Sequence, residues 1–155
     1  MTSHNARARV IDEARSWLGT PYQHQASLKL VGADCLGLVR GVWRAIEGEE
    51  PEGVPAYSSS WSESGSAERL LDVGHSHFHA IDLEGALPAD VLVFRMRRGR
   101  IAKHVGILTD NARFIHAYDP ASVVESELTP WWKKLIAGAF SFPSVFKEGP
   151  REWQR

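Results

Sequence analysis

With 155 residues, 43% of them hydrophobic and 24% charged, the chain is long enough to bury one well-filled core and too short to suggest two, so residues 1–155 are expected to form a single domain. A formal net charge of -1 excludes a general nucleic-acid binder, which would need a strongly positive face to neutralise phosphates. The lone cysteine, Cys35, excludes an internal disulfide and any Cys-x-x-Cys metal site, and leaves that thiol as either core filler or chemistry.

Taken in chain order, Met1 to Arg9 lacks the apolar core of a secretory signal, and no apolar run is long enough to span a bilayer, so synthesis in the cytoplasm without membrane insertion is expected. From Arg7 to Leu18, the residues Val10, Ile11, Ala14, Trp17 and Leu18 fall on one helical stripe, which Gly19 stops and Pro21 keeps from resuming. A polar loop containing His24 leads to a second helix that begins at Cys35. Leu36, Val39, Trp43 and Ile46 recur along it at helical spacing, Asp34 is its N-cap and Gly48 closes it.

Glu49 to Ser66, with Pro51, Gly53, Pro55 and a serine-rich stretch, reads as the longest irregular connection, and Ala67 to Val73 as a short helix. Strands are then expected over Asp90–Met96, Lys103–Thr109, Arg113–Tyr118 and Ser122–Glu127, joined by turns at Arg97-Arg98-Gly99-Arg100 and Asp110-Asn111. Thr129 to Ile136 supplies one or two helical turns, and Ala139 to Phe142 a closing strand before Pro143. Helices first and an antiparallel meander afterwards is an α+β layout.

Cys35 lies where a helix start presents unpaired amides and a positive dipole end, both of which favour the reactive thiolate. With a His104 imidazolium beside it, the larger of the two stabilising charges, the thiol is expected below the free value of ~8.5, within the ~3.5 to 7.5 range of activated cysteines. Gly37 just inside the helix leaves space for a partner to approach, and Gly32 permits a sharp entry. Downstream, His104 and His116 sit in apolar runs on neighbouring predicted strands. If they share a sheet face, one imidazole can take the Cys35 proton while the other fixes its tautomer and orientation.

Other candidates carry less. His75, His77 and His79 would share one face of an extended strand, but no acidic or thiolate partner accompanies them, and a solvated histidine face is the simpler reading than a zinc site. Arg95, Arg97, Arg98, Arg100 and Lys103 read as a solvated hairpin tip, with attraction of carboxylates as its functional alternative. Trp131 and Trp132 are expected in the core, and Trp153 in a short polar tail as an anchor for docking.

Five segments in order resemble the NlpC/P60 cysteine peptidases: Trp17-Leu18-Gly19-Thr20-Pro21-Tyr22, Asp34-Cys35-Leu36-Gly37-Leu38-Val39, Ala89-Asp90-Val91-Leu92-Val93-Phe94, Lys103-His104-Val105-Gly106-Ile107 and Phe114-Ile115-His116-Ala117. Asp34 to Arg44 and Phe94-Arg95-Met96 look most like the branch found in phage tails and gene transfer agents. The resemblance implies a papain-like core acting on peptidoglycan stem peptides or cross-links, by cleavage of the γ-D-glutamyl-diamino acid type. Cys35 would be the nucleophile, His104 the general base and then acid, and His116 the orienting third member, with neither metal nor organic cofactor required. Tyr22 and Asp34 would border the substrate. Leu36, where many members carry serine, would alter the adjoining subsite, and Gln23-His24-Gln25-Ala26 replaces a common Gly-Gly. A tail or baseplate hub would be the partner that carries the protein to the cell wall, with no role for nucleic acid. Alternatives are an amidase that releases stem peptides from muramic acid, an acyltransferase with the same Cys-His pair, and a non-catalytic docking component.

Overall fold

Asn5 starts the first helix, α1 (Ala6–Ser16), by accepting the amides of Arg7 and Ala8 at 2.8 and 3.3 Å, two of the donors that every helix start leaves open. The computed structural model describes residues 5–52, 68–97 and 100–149. Most of the serine-rich connection, Ala67 of the expected third helix, Arg98 and Gly99 of the expected turn, and Trp153 lie outside the described residues. Helix α1 ends sooner than its apolar stripe suggests: Trp17 is already the C-cap, and Gly19 follows at φ 88°, a left-handed conformation that glycine takes without strain. Val10, Ile11, Ala14 and Trp17 are buried as expected, while Leu18, placed beyond the helix, is left at the surface.

The loop after α1 holds a small hairpin that periodicity does not announce, β1 (Ser27–Leu28) with β2 (Gly32–Ala33). Helix α2 (Cys35–Ile46) follows, and α3 (Arg69–His77) runs on past the expected end at Val73. Then come β3 (His79–Ile81), β4 (Val91–Arg95), β5 (Ala102–Asp110), β6 (Arg113–Ala117), β7 (Val123–Glu127), α4 (Pro130–Lys134), β8 (Ile136–Ser141) and α5 (Pro143–Glu148). The sheet order is β3-β8-β4-β5-β6-β7, antiparallel throughout.

The meander β4 to β7 matches the expectation. Strand β8 departs from it by returning to the far side of β4, with β3 outside it, so the closing strand is longer than expected and starts where a helical turn was read. Pro143 does not end the fold: it occupies the first turn of α5, where its missing N–H costs no hydrogen bond.

Side chains alternate across this sheet with period two. Val91, Val93, Val105, Ile107, Ile115, Ala117 and Val123 join Val10, Ala14, Val39 and Val42 of α1 and α2 in one core. Leu92, Phe94, Leu108 and Phe114 join Leu128 and Leu135 in a second core, which Trp132 covers. Helix α1 is pinned to the sheet by a buried cluster: Arg7 lies 3.1 Å from Asp90 and donates to the Pro88 carbonyl at 2.8 Å, and Ser141 donates to Asp90 at 2.6 Å. The result is an α+β molecule with a helical layer on one sheet face and a short aromatic helix on the other.

Candidate active site

Asp34, only 2% exposed, holds the start of α2 as the sequence predicts. Its Oδ1 accepts the Gly37 amide and its Oδ2 the Gln25 amide, both at 2.7 Å, and His24 Nδ1 lies 3.7 Å from Oδ2. Ser27 Oγ donates to the Gly37 carbonyl at 2.6 Å, which draws the hairpin onto the same turn. A Cβ on residue 37 would sit 1.9 Å from the Ala26 carbonyl oxygen. The glycine therefore makes room for the chain's own loop, not for an incoming partner. Gly32 likewise faces the Gln23 side chain, 2.5 Å from a built Cβ.

The register between β5 and β6 pairs Ile107 with Ile115 and does not continue to Val105. The backbone amides of Val105, Leu36 and Cys35 instead lie close enough to the Cys35 sulfur to favour its charged form. Cys35 thus stands at the point where two strands part, and so α2, which packs on the aliphatic face, reaches the backbone next to His104.

His104 and His116 do share a face, the aromatic one, with His104 Nε2 and His116 Nδ1 2.7 Å apart and both residues buried. Gly106 permits this: a Cβ there would meet the Phe114 ring at 2.7 Å and the His116 Cβ at 3.2 Å. His116 Nε2 is 2.9 Å from Ser126 Oγ on β7. Trp132 stacks on His104, with ring centroids 5.5 Å apart at 30°, and Tyr118 and Phe94 approach the same imidazole at 6.1 and 5.9 Å.

These surroundings set the protonation states. Burial holds His104 down to about 3, assisted by His116, and burial alone holds His116 down to about 4. The thiol moves opposite to the expectation drawn from the helix end and a His104 imidazolium, because burial keeps that imidazole neutral. Cys35 is half-buried, and the protein around its sulfur, with Asp34 adding to it, pushes the thiol up to about 12 despite the nearby amides. A helix terminus shifts a charge equilibrium by at most about 2 kcal/mol, less than the loss of hydration here. Both shifts favour the uncharged forms, thiol for Cys35 and imidazole for His104.

Of the remaining candidates, Tyr22 is half-buried against the core, and its hydroxyl is pushed up to about 12 by burial and then by the charges of Cys35, Asp34 and Asp119. Leu36 is buried, with Val39, Trp43, Val73 and Phe78 around an apolar hollow between α2 and α3. Trp131 is 53% exposed, contrary to the expected core position, and Trp132 packs against the histidines themselves. His75 and His77 lie on α3 and His79 in β3, so they form no common strand face; His75 meets Phe140 edge-on and His79 stacks on Phe146. Arg95 is tied down by Glu68 and by the Arg100 carbonyl instead of being a free tip. Sequence reasoning missed Ser126 and Trp132 as neighbours of the histidines. The register of the two predicted strands carrying His116 and Ser126 could have found the first, whereas Trp132 has no local signal.

The NlpC/P60 family model matches residues 19–140, a span that holds the helix start, the parted strands and both imidazoles. The chain belongs to the NlpC/P60 family. It is 29% identical over 131 residues to the murein DD-endopeptidase MepS/murein LD-carboxypeptidase of Escherichia coli (strain K12), covering 84% of this chain and 60% of that protein. It is 29% identical over 144 residues to the γ-DL-glutamyl hydrolase of Bacillus subtilis (strain 168), covering 91% of this chain and 31% of that protein. This NlpC/P60 chain thus spans only part of the length of either relative. Among solved structures, the NlpC/p60 domain of the peptidoglycan hydrolase SagA shares its fold, with a TM-score of 0.60, 23% identity and coverage of 88% of this chain and 98% of that domain.

Proposed function

We propose that this chain is a cysteine endopeptidase that hydrolyses peptide bonds in peptidoglycan stem peptides or cross-links. The observation that carries the reading is the 2.7 Å contact between His104 and His116, with the backbone of Val105, the next residue along the strand, close to the Cys35 sulfur. Because Nε2 of His104 is engaged by His116, only Nδ1 is free to take a proton. Cys35 Sγ attacks the scissile carbonyl as its proton passes to that nitrogen, and the Cys35 amide at the start of α2 receives the developing oxyanion. Collapse breaks the C–N bond, with His104 returning its proton to the leaving amine and a thioester remaining on Cys35. Water then gives a proton to His104 and attacks the thioester, and the C–S bond breaks as His104 passes that proton to the sulfur, restoring the thiol and releasing a carboxylic acid.

The γ-D-glutamyl-diamino acid bond is our proposed target, supported by the family resemblance and by the name of the Bacillus relative. In this reading Tyr22 borders the substrate, while Asp34 acts from beneath by holding the start of α2, and Leu36 bears on the site through its packing between α2 and α3. The likeness of Asp34 to Arg44 to the tail-associated branch supports delivery to the cell wall by a phage-like tail or baseplate hub, a proposal that absence from purified particles would end.

Purified sacculi incubated with the protein should yield stem-peptide fragments by mass spectrometry. Cys35→Ala should abolish this, and His104→Ala should reduce it by roughly 10²- to 10⁴-fold, with the fold retained. Intact stem peptides freed from muramic acid would point to an amidase instead. Continued digestion by Cys35→Ala would exclude the thiol mechanism.

A further inference from the structure

Two tautomers satisfy the contact between the histidines, and they are not equivalent. If His104 Nε2 donates to His116 Nδ1, then His104 Nδ1 keeps its lone pair and His116 must carry its own proton on Nε2, which lies 2.9 Å from Ser126 Oγ. If the direction is reversed, Ser126 donates to His116 Nε2, His116 Nδ1 donates to His104, and His104 Nδ1 is already protonated. That second arrangement leaves His104 unable to act as a base.

We propose that Ser126 is a positioning residue: its Oγ accepts from His116 Nε2–H and so holds both imidazoles as Nε2–H tautomers, with His104 Nδ1 ready for the Cys35 proton. This deepens the hydrolase reading and rests on it. Two considerations favour the accepting role. In the hydrolase reading the Cys35 proton passes to His104 Nδ1, which keeps its lone pair only in this tautomer. Ser126 is half-buried on the edge strand β7, so its hydroxyl proton can turn toward solvent while a lone pair stays on His116. His116 itself is 2% exposed and has no comparable access to water as a substitute acceptor.

The test is nitrogen NMR on histidine-labelled protein, with steady-state digestion of a soluble stem peptide alongside. The wild type should show Nε2–H at both positions. Ser126→Ala should move both rings partly to Nδ1–H and lower kcat on the order of tenfold, about what one net hydrogen bond contributes, with KM unchanged. Ser126→Thr, which keeps the hydroxyl, should restore both signatures. Nδ1–H at His116 in the wild type, or unaltered nitrogen shifts in Ser126→Ala, would overturn the proposal whatever the rates. Failure of the wild type to cleave any stem peptide would sink the hydrolase reading, while the nitrogen shifts would still decide the tautomer.

Discussion

On one face of the sheet Val93, Val105, Ile107 and Ile115 gather with the aliphatic stripes of α1 and α2; on the other, the residues next to them in the chain, Phe94, His104, Phe114 and His116, lie under Trp132. The first face resembles an ordinary interior, where shape and apolar area set the stability. The second encloses two titratable rings that lose hydration on burial and regain polar partners in each other and Ser126. Strand alternation thus lets adjacent residues of one strand serve packing and chemistry independently. Variants that strike one face and spare the other will test that separation.

The largest effect is expected on the aliphatic face. Ile107→Ala removes a fully buried side chain and should cost about 2–5 kcal/mol in chemical denaturation, with kcat on a stem peptide unchanged below the new melting temperature. A large fall in kcat would show that the faces are coupled. Gly106→Ala should cost less stability, about 1–3 kcal/mol, but should damage activity, because the added methyl meets Phe114 and the His116 Cβ and must separate the imidazoles. Normal kcat in that variant would mean that their contact tolerates displacement.

The smallest effect is on the pH dependence of stability. Native His104 and His116 stay neutral down to about 3 and about 4, whereas unfolded imidazoles take up protons near 6.5. Between those limits the unfolded chain binds more protons, so this contribution is fully present above 6.5 and is lost as the pH falls toward 4. His116→Asn should flatten the decline in melting temperature between pH 7 and pH 4.5. An equal decline in the variant would show that the native imidazoles are not held neutral.

Much of this arrangement could be read from the chain because its signals are local. Asp34 before an amphipathic run announces an N-cap, and the alternating residues around His104 and His116 announce strands whose neighbouring positions bring the rings together. What could not be read depends on contacts distant in sequence. Strand β8 inserts beside β4, Trp132 folds over His104, and the Ala26 carbonyl occupies the space that Gly37 leaves. The thiol pKa failed for the same reason: a helix end is visible in sequence, but the depth of protein around it is not.

The raised thiol pKa also governs how the half-buried Cys35 meets oxidants. Peroxide attacks thiolates, so a sulfur held protonated up to about 12 offers it little, whereas a cysteine with a depressed pKa would pass to sulfenic acid at neutral pH. The protection has a limit set by composition. As the lone cysteine, Cys35 has no second thiol in the chain to trap a sulfenic acid as a disulfide, and any oxidation that does occur is free to continue to the irreversible sulfinic state.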